Sequence, residues 1–234
     1  MTNELLWMIF LIFDFGMALL AIRFFGKKAL FAIIVIDIII CNIQVLKTIS
    51  LFGIITTTGN ILYGSIFLAT DLLSEVYGKK EARQGVLLGF FALLFMTISF
   101  QLTIAFHPHA SDFAHSHFKI LFGILPRIAL ASLAAYLVSQ LHDIWAFHFW
   151  KSKTKGKYLW LRNNLSTLVS QMIDSLVFVS IAFLGIYPLG VVVQIFISTY
   201  LFKLMVAVLD TPVIYLGKHI LLTYHGKEAK DDEQ

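Results

Sequence analysis

Apolar residues run along this chain in long blocks rather than in the narrow stripes of a soluble amphipathic bundle. Seven blocks stand out, at 5–25, 29–49, 57–77, 84–106, 119–145, 163–185 and 188–216. A helix crosses the hydrocarbon core with about 20 mostly apolar residues. The pattern therefore predicts an all-α, polytopic integral membrane bundle of about six or seven transmembrane helices. The third block is the weakest. It opens on polar "TTTGN", and read as a re-entrant element it would leave six full spans.

The placement of charge decides between the two counts. Arg23, Lys27 and Lys28 follow the first block, and Lys79, Lys80 and Arg83 follow the third. Lys151, Lys153, Lys155, Lys157 and Arg162 follow the fifth, and Lys218, Lys227 and Lys230 lie in the tail. The opposite segments carry only Lys47 and Lys119, so the balance is fourteen against two. Seven spans satisfy the positive-inside rule with the N-terminus outside and the C-terminus inside. Six would break the alternation after the second block. Residues 1–217 read as a single transmembrane domain and 218–234 as a charged cytoplasmic tail. The opening "MTNELLWMIFLIFDFG" has no basic n-region and no small-residue cleavage site, so it reads as a retained helix.

Composition narrows the function classes. Of 234 residues, 59% are hydrophobic and 14% charged, with a mean hydropathy of +0.83. A soluble domain carries about 25% charged residues. The net charge of +4 is spread over short loops, which gives nucleic acid no basic face to bind. Cys41 is the single cysteine, so no intramolecular disulfide can form. No phosphate-binding G-x-x-x-x-G-K-[ST] loop, G-x-S-x-G elbow or H-E-x-x-H zinc helix occurs. The reading is a non-enzyme without cofactor, whose partners are a small molecule and membrane lipid. Assembly as a homo-oligomer is compatible with it.

Ionisable residues inside the blocks carry the chemistry. Asp14, Asp37, Asp71, Glu75, Asp174 and Asp210 are opposed there only by Arg127 and Lys203. Each central charge costs about 2.5–3.5 kcal/mol to insert, so such groups face a bundle interior, a partner or a wet cavity. Asp71 and Glu75 stand at i and i+4 and would share a helical face. At about 1.5 Å per residue, Asp71 and Gln171 each lie roughly 12–13 Å inside the cytoplasmic boundary. Asp174 is one turn deeper, and Asp37 reaches a similar level from the second block. Thr167, Gln171, Asp174 and Phe178 follow 3–4 spacing, as do Asp37, Cys41 and Gln44. This predicts a polar pocket between helices with aromatic walls.

Blander roles compete for several of these groups. Glu75, four residues before Lys79, can simply pair with interfacial cations. Asp14 fits a structural bond to a serine or threonine of a neighbouring helix. Lys203 fits neutralisation of an acid on a neighbouring helix, and Asp143 an interfacial position. The outer loop "HPHASDFAHSH" gathers His107, His109, His115 and His117 around Asp112. No cysteine or H-x-x-x-H frame accompanies them, so an exposed polar loop is favoured over a metal site.

Two stretches carry a family resemblance. Thr70, Asp71, Glu75, Val76, Tyr77, Gly78, Ala82 and Arg83 fit a T-D-x-x-x-E-V-Y-G-x-x-x-A-R pattern. "RNNLSTLVSQMIDSLVFVSIAF" fits through Arg162, Ser166, Thr167, Ser170, Gln171, Asp174, Ser175 and Phe178. A weaker third, "PRIALASLAAYLVSQLHD", fits through Arg127, Ser132, Ala135, Tyr136, Ser139, Gln140 and Asp143. Together they resemble the queuosine-precursor transporters, also called the Vut-type vitamin uptake family. The resemblance implies uptake of 7-deazaguanine bases such as preQ0, preQ1 or queuine across the bacterial inner membrane, in support of tRNA queuosine modification. It also implies a fold related to the S components of energy-coupling-factor importers. On that basis the candidate substrate-binding residues are Asp37, Asp71, Glu75, Arg127, Thr167, Gln171, Asp174 and Phe178. Asp174 and Gln171 would read the base edge, and Asp71 and Glu75 would hold an amine or carry a coupling proton.

Three other classes stay open. One is a substrate-binding membrane subunit of an ATP-driven vitamin importer, docking through small residues such as Ala131 and Ala135. The second is a metal transporter fed by the histidine loop. The third is an intramembrane hydrolase, which would need two carboxylates in direct reach across helices. The orientation is testable by itself. With Cys41 replaced by serine, a cysteine placed in 107–117 is expected to react with an impermeant maleimide in intact cells, and one in 151–157 only after lysis. The reverse pattern would invert the topology.

Overall fold

The computed structural model describes residues 1–123, 125–185 and 188–231. Helices α1 (Asn3–Phe25) and α2 (Lys27–Gln44) lead into a two-stranded antiparallel hairpin, β1 (Thr48–Leu51) and β2 (Ile54–Thr57). Helix α3 (Asn60–Leu72) continues into a π-helical turn, Leu73–Tyr77, before α4 (Lys79–Ala105). Then follow α5 (His115–Gly123), α6 (Leu125–Lys153), α7 (Leu159–Phe183), α8 (Leu189–Leu209) and α9 (Thr211–Asp231).

Every residue of α3 is buried, which makes it the central element. Tyr63, Ile66, Phe67, Leu68, Leu72 and Leu73 join residues of α1, α2, α4, α6, α8 and α9 in one apolar core. The other long helices turn Leu, Ile and Phe side chains outward, as α4 does with Leu87, Phe91, Phe95 and Leu102. That outward greasiness is what a lipid-facing surface requires.

Among the described residues four helices are long and apolar enough to cross a membrane alone: α1, α4, α6 and α7. The α8–α9 pair, bent by 43° at its break, makes up to a fifth. The expectation of seven independent spans thus overstates what length and apolarity deliver. Helix α2 has 18 residues and carries Asp37, while α3 has 13 and is walled in by protein. A helix shielded from lipid has no need of an unbroken apolar surface. The weakness of the third block reflects this central position. The fifth block falls into two pieces, α5 and α6. Helix α9 runs on through residue 218, where the charged tail was expected to begin, and buries Leu221. The break between α8 and α9 has a local cause, because Pro212 supplies no N–H to continue the ladder.

The two ends of the bundle differ chemically. At one end Asn3 Nδ2 donates to the Ser50 carbonyl at 3.0 Å, and Glu4 accepts from the Phe52 N–H at 3.1 Å. These bonds seat the hairpin beside the start of α1. At the other end Lys27 pairs with Glu81 at 2.9 Å, and the Arg23 guanidinium stacks 3.4 Å over the Tyr224 ring. The π turn lies at this second end and closes on Gly78, whose φ of 90° suits glycine alone. A chain crossing between the ends of α3 and α4 reverses direction there.

Close helix approach at Gly64 positions α8 against α3. A Cβ at Gly64 would run into the Val206 side chain, which is itself fully buried and β-branched. Gly64→Ala is therefore expected to destabilise the purified protein by about 1–3 kcal/mol through overpacking. Val206→Ala in the same chain is expected to return most of the lost melting temperature. Additive losses in the double variant would mean that the two helices do not meet at this point.

Candidate functional site

One face of α7 is polar and buried along almost its whole length. Arg162, Asn163, Ser166, Thr167, Ser170, Gln171, Asp174 and Ser175 are each at most 1% exposed. Their spacing places them on one stripe, as the 3–4 periodicity predicts. The stripe packs along α6, which offers Tyr136, Ser139, Gln140 and Asp143, all buried, and reaches α3 at Tyr63 and Asp71. Three levels of chemistry are stacked along it.

Asp174 anchors the first level. Its Oδ1 accepts from the Tyr63 hydroxyl at 2.5 Å and from the Ser139 hydroxyl at 3.1 Å. Its Oδ2 is ion-paired to the Lys203 ammonium. The same ammonium lies 4.1 Å from the centroid of the Tyr63 ring, a cation–π distance. One carboxylate therefore ties α3, α6, α7 and α8 together. Lys203 does what the sequence reading assigned it, neutralising an acid across the bundle. Tyr63 also packs on Phe67, with ring centroids 5.7 Å apart.

Next toward the basic end come two amides with unmade hydrogen bonds. Gln140 is fully buried, and neither its Oε1 nor its Nε2 has a partner among the described residues. Gln171 Oε1, Tyr136 Oη and Ser175 Oγ are in the same condition. Buried polar atoms are nearly always satisfied by protein or water, so these side chains leave hydrogen bonds for water or a bound molecule to make. Tyr136 can lie here because α4 has Gly89 opposite, where a Cβ would strike its hydroxyl.

Asp71 defines the second acidic level. Thr167 Oγ1 donates to Asp71 Oδ2 at 3.5 Å. Asp143 lies in hydrogen-bonding reach of Asp71, Ser166 and Ser170, bringing two carboxylates together across α3 and α6. Asp143 is fully buried within the protein. α6 extends ten residues beyond it, to Lys153, and keeps it inside. Asp210, at the break between α8 and α9, accepts from Asn163 Nδ2 at 3.0 Å and faces the same pair.

Glu75 belongs to the third level. Arg162 Nη2 and Lys218 Nζ both reach its Oε1, the latter at 2.5 Å, and Lys151 Nζ lies 3.5 Å from Oε2. Lys151 also donates to the Glu75 carbonyl at 3.0 Å. Arg162 in turn donates to the carbonyls of Gly156 and Lys157, at 2.9 and 3.0 Å, and so holds the α6–α7 loop. Glu75 pairs with cations as the blander reading had it, but its partners come from α6, α7 and α9 rather than from Lys79. The π turn separates it from Asp71, so the two acids of the motif serve different levels.

The structure does not gather all eight candidate residues. Thr167, Gln171, Asp174 and Asp71 line one stripe between α3, α6 and α7. Asp37 is buried on α2 within electrostatic reach of Asp14, which accepts from Ser65, and of Cys41, which in turn lies within reach of Lys203 and Asp174. That Asp14–Ser65 bond is the structural role expected of Asp14. Phe178 is half-buried and packs edge-on to Phe183 at 5.9 Å. Arg127 is exposed and caps α7, donating to the carbonyls of Ile181 and Leu184 at 3.1 and 2.8 Å. Tyr63, Lys203, Tyr136, Gln140 and Asp143 complete the stripe but were not on the candidate list. Gln140 and Asp143 carried a signal, since they stand at i and i+3 in the weaker third stretch.

The histidine loop is organised by its own backbone. Asp112 Oδ1 accepts from the N–H groups of Ala114 and His115 at 2.7 and 3.1 Å, capping the start of α5. His117 Nδ1 bonds the Phe113 carbonyl at 3.1 Å. Among the described residues no three His, Cys, Asp or Glu side chains converge as metal ligands. Ala131 and Ala135 are buried within the chain itself, so this small-residue face is already used.

Comparison with known proteins places this arrangement. A family model described as "Putative vitamin uptake transporter" matches residues 57–217. A "Probable queuosine precursor transporter" of Bacillus subtilis is 43% identical over 222 residues, covering 94% of this chain and 97% of the relative. A "Queuosine precursor transporter" of Escherichia coli is 31% identical over 163 residues, covering 67% of this chain and 69% of the relative. A "Probable queuosine precursor transporter" of Haemophilus influenzae is 33% identical over 134 residues, covering 56% and 54%. No solved structure matches, so a relation to the S components rests on the sequence resemblance alone. The matched region contains α3, the π turn and the whole polar stripe of α7, and the chain belongs to the vitamin uptake transporter family.

Proposed function

We propose that this chain is a solitary transporter that takes up queuosine precursors, 7-deazaguanine bases, across the cytoplasmic membrane with its basic end inside. The observation that carries the reading is the set of unmade hydrogen bonds on Gln171, one helical turn from Asp174, and on Gln140 and Tyr136 of α6. A guanine-like edge presents ring N–H and amine donors beside a carbonyl acceptor. The two glutamine carbonyls supply the acceptors, and Gln140 Nε2 or the Tyr136 hydroxyl supplies the donor. The rings of Tyr63 and Phe67 form an aromatic wall nearby. Stacking on such rings is worth about 1–3 kcal/mol per base.

Asp174 gives the site its charge logic. With a neutral base it stays paired to Lys203 and frames the pocket. An aminomethylated base brings its own ammonium and can take the place of Lys203 on the same oxygen. Thr167 and Asp71 lie on the exit side, and the Glu75 cluster closes the basic end behind them. Passage then requires Arg162, Lys151 and Lys218 to release Glu75. Uptake as the activity agrees with the transporter names of all three relatives.

The reading is tested in a bacterium lacking both precursor synthesis and its own importer, with queuosine in tRNA as the readout. The cyano base, the aminomethyl base and queuine are supplied in turn at low concentration, with a tRNA-inserting enzyme suited to each. Wild-type protein is expected to restore queuosine. Failure with every base, with the protein present in the membrane, sinks the reading. Gln140→Leu separates function from folding. Replacing an unpaired buried amide by an apolar group of like shape is neutral or stabilising, so membrane level and melting temperature are expected to hold. Losing about two hydrogen bonds to the base is expected to lower uptake about tenfold at limiting concentration. Unchanged uptake would remove Gln140 from the site.

Asp174 is tested against Lys203. Asp174→Asn leaves an unpaired buried ammonium and is expected to lose about 3–5 kcal/mol of stability. Adding Lys203→Gln is expected to restore the membrane level without restoring uptake of the aminomethyl base. Full recovery of that uptake in the double variant would make the pair purely structural.

A further inference from the structure

Resting on the uptake reading, we infer that the Asp71–Asp143 pair is the coupling site, carrying one proton across the bundle for each base moved. Two carboxylates meet across α3 and α6 in the interior, both fully buried. Asp71 Oδ1 and both oxygens of Asp143 lack a well-aligned hydrogen bond among the described residues. A buried carboxylate in that condition needs a cation, and the ion pairs of the bundle go elsewhere. Lys203 serves Asp174, while Arg162, Lys151 and Lys218 serve Glu75.

The surroundings specify which cation. Asp210 faces the pair from the break between α8 and α9 and adds negative charge. From α7 come only the hydroxyls of Thr167, Ser166 and Ser170. His142 of α6 is bonded to the Ser170 hydroxyl, at 2.9 Å. Asp14 of α1 is held at Ser65, nearly two turns up α3, with Asp37 of α2 within its electrostatic reach. No third His, Cys, Asp or Glu joins the two acids to form a metal cage among the described residues. Two carboxylates in hydrogen-bonding reach with no donor between them are joined by a proton, which one oxygen donates and the other accepts.

The step balances simply. From the outer side the doubly ionised pair binds one proton from water, and its charge goes from minus two to minus one. On the inner side it returns that proton to water, and no covalent bond between heavy atoms changes. The loaded pair holds α3 against α6. The unloaded pair repels itself and pushes α3, with the π turn and Glu75 at its end, away from α6. Substrate exit and proton release thus share one helix movement.

The test uses the full-length protein in proteoliposomes with the membrane potential clamped at zero and the radiolabelled cyano base as probe. An inward proton gradient of about one pH unit is expected to drive about tenfold accumulation for one proton per base. An equal sodium gradient is expected to drive none. Accumulation on sodium alone, or no response of the wild type to either gradient, overturns the proposal. Asp143→Asn, fixed at the charge of the loaded pair, is expected to abolish the response to the proton gradient while still binding the cyano base. A variant that still accumulates on the proton gradient, or that no longer binds the base, overturns the assignment to this pair. Wild-type exchange of the cyano base without gradient response separates this failure from failure of the uptake reading itself.

Discussion

A carboxylate inside a membrane bundle has to be neutralised where it stands, because neither water nor lipid will do it. Asp174 meets that constraint with one hydroxyl from α3, one from α6 and an ammonium from α8. The consequence reaches beyond one residue. Three helices distant in sequence must present Tyr63, Ser139 and Lys203 at a single height, and that requirement sets their relative register. Leaving Lys203 out would strand charge in the interior, a larger penalty than most packing defects. The close approach of Gly64 to Val206 follows from the same demand, since α8 has to come near enough to α3 for Lys203 to reach.

Different acids solve the same problem differently, and the differences sort them by role. Glu75 is matched by three cations and gains its stability from being closed in. Asp14 is satisfied by a hydroxyl and lies off the central stripe. Asp71 and Asp143 have each other and a few hydroxyls, with Asp210 adding more negative charge nearby. The first arrangement suits a closure that opens only when displaced. The last suits a group that changes its charge during a cycle.

The sequence was most legible where one helix carried the signal alone. The stripe of Thr167, Gln171 and Asp174 could be read because helical periodicity is a local property, and α7 obeys it. The role of Lys203 was legible from scarcity, since so few cations were available to the buried acids. Tyr63 gave no such signal. A tyrosine in an apolar block is ordinary, and only the fold brings its hydroxyl to an acid 111 positions away. Arg127 misled for the opposite reason. A lone arginine near a span looks like a charge partner, yet here it satisfies the carbonyls that end α7.

The π turn shows why the opening motif could be recognised but not interpreted from spacing. On a regular helix Asp71 and Glu75 share a face, and one would assign them a common task. The five-residue π turn inserts a wider step between them, and π-helical turns recur at functional sites for this kind of re-aiming. Along α7 their partners are Thr167 and Arg162, which are five residues apart where the acids are four. The mismatch lets Asp71 stay in the interior with Asp143 while Glu75 reaches the basic end. The motif therefore spans both the charge-changing level and the closure. A displacement of α3 at the first is carried to the second through a single turn of helix, which also packs against α4, α6 and α9.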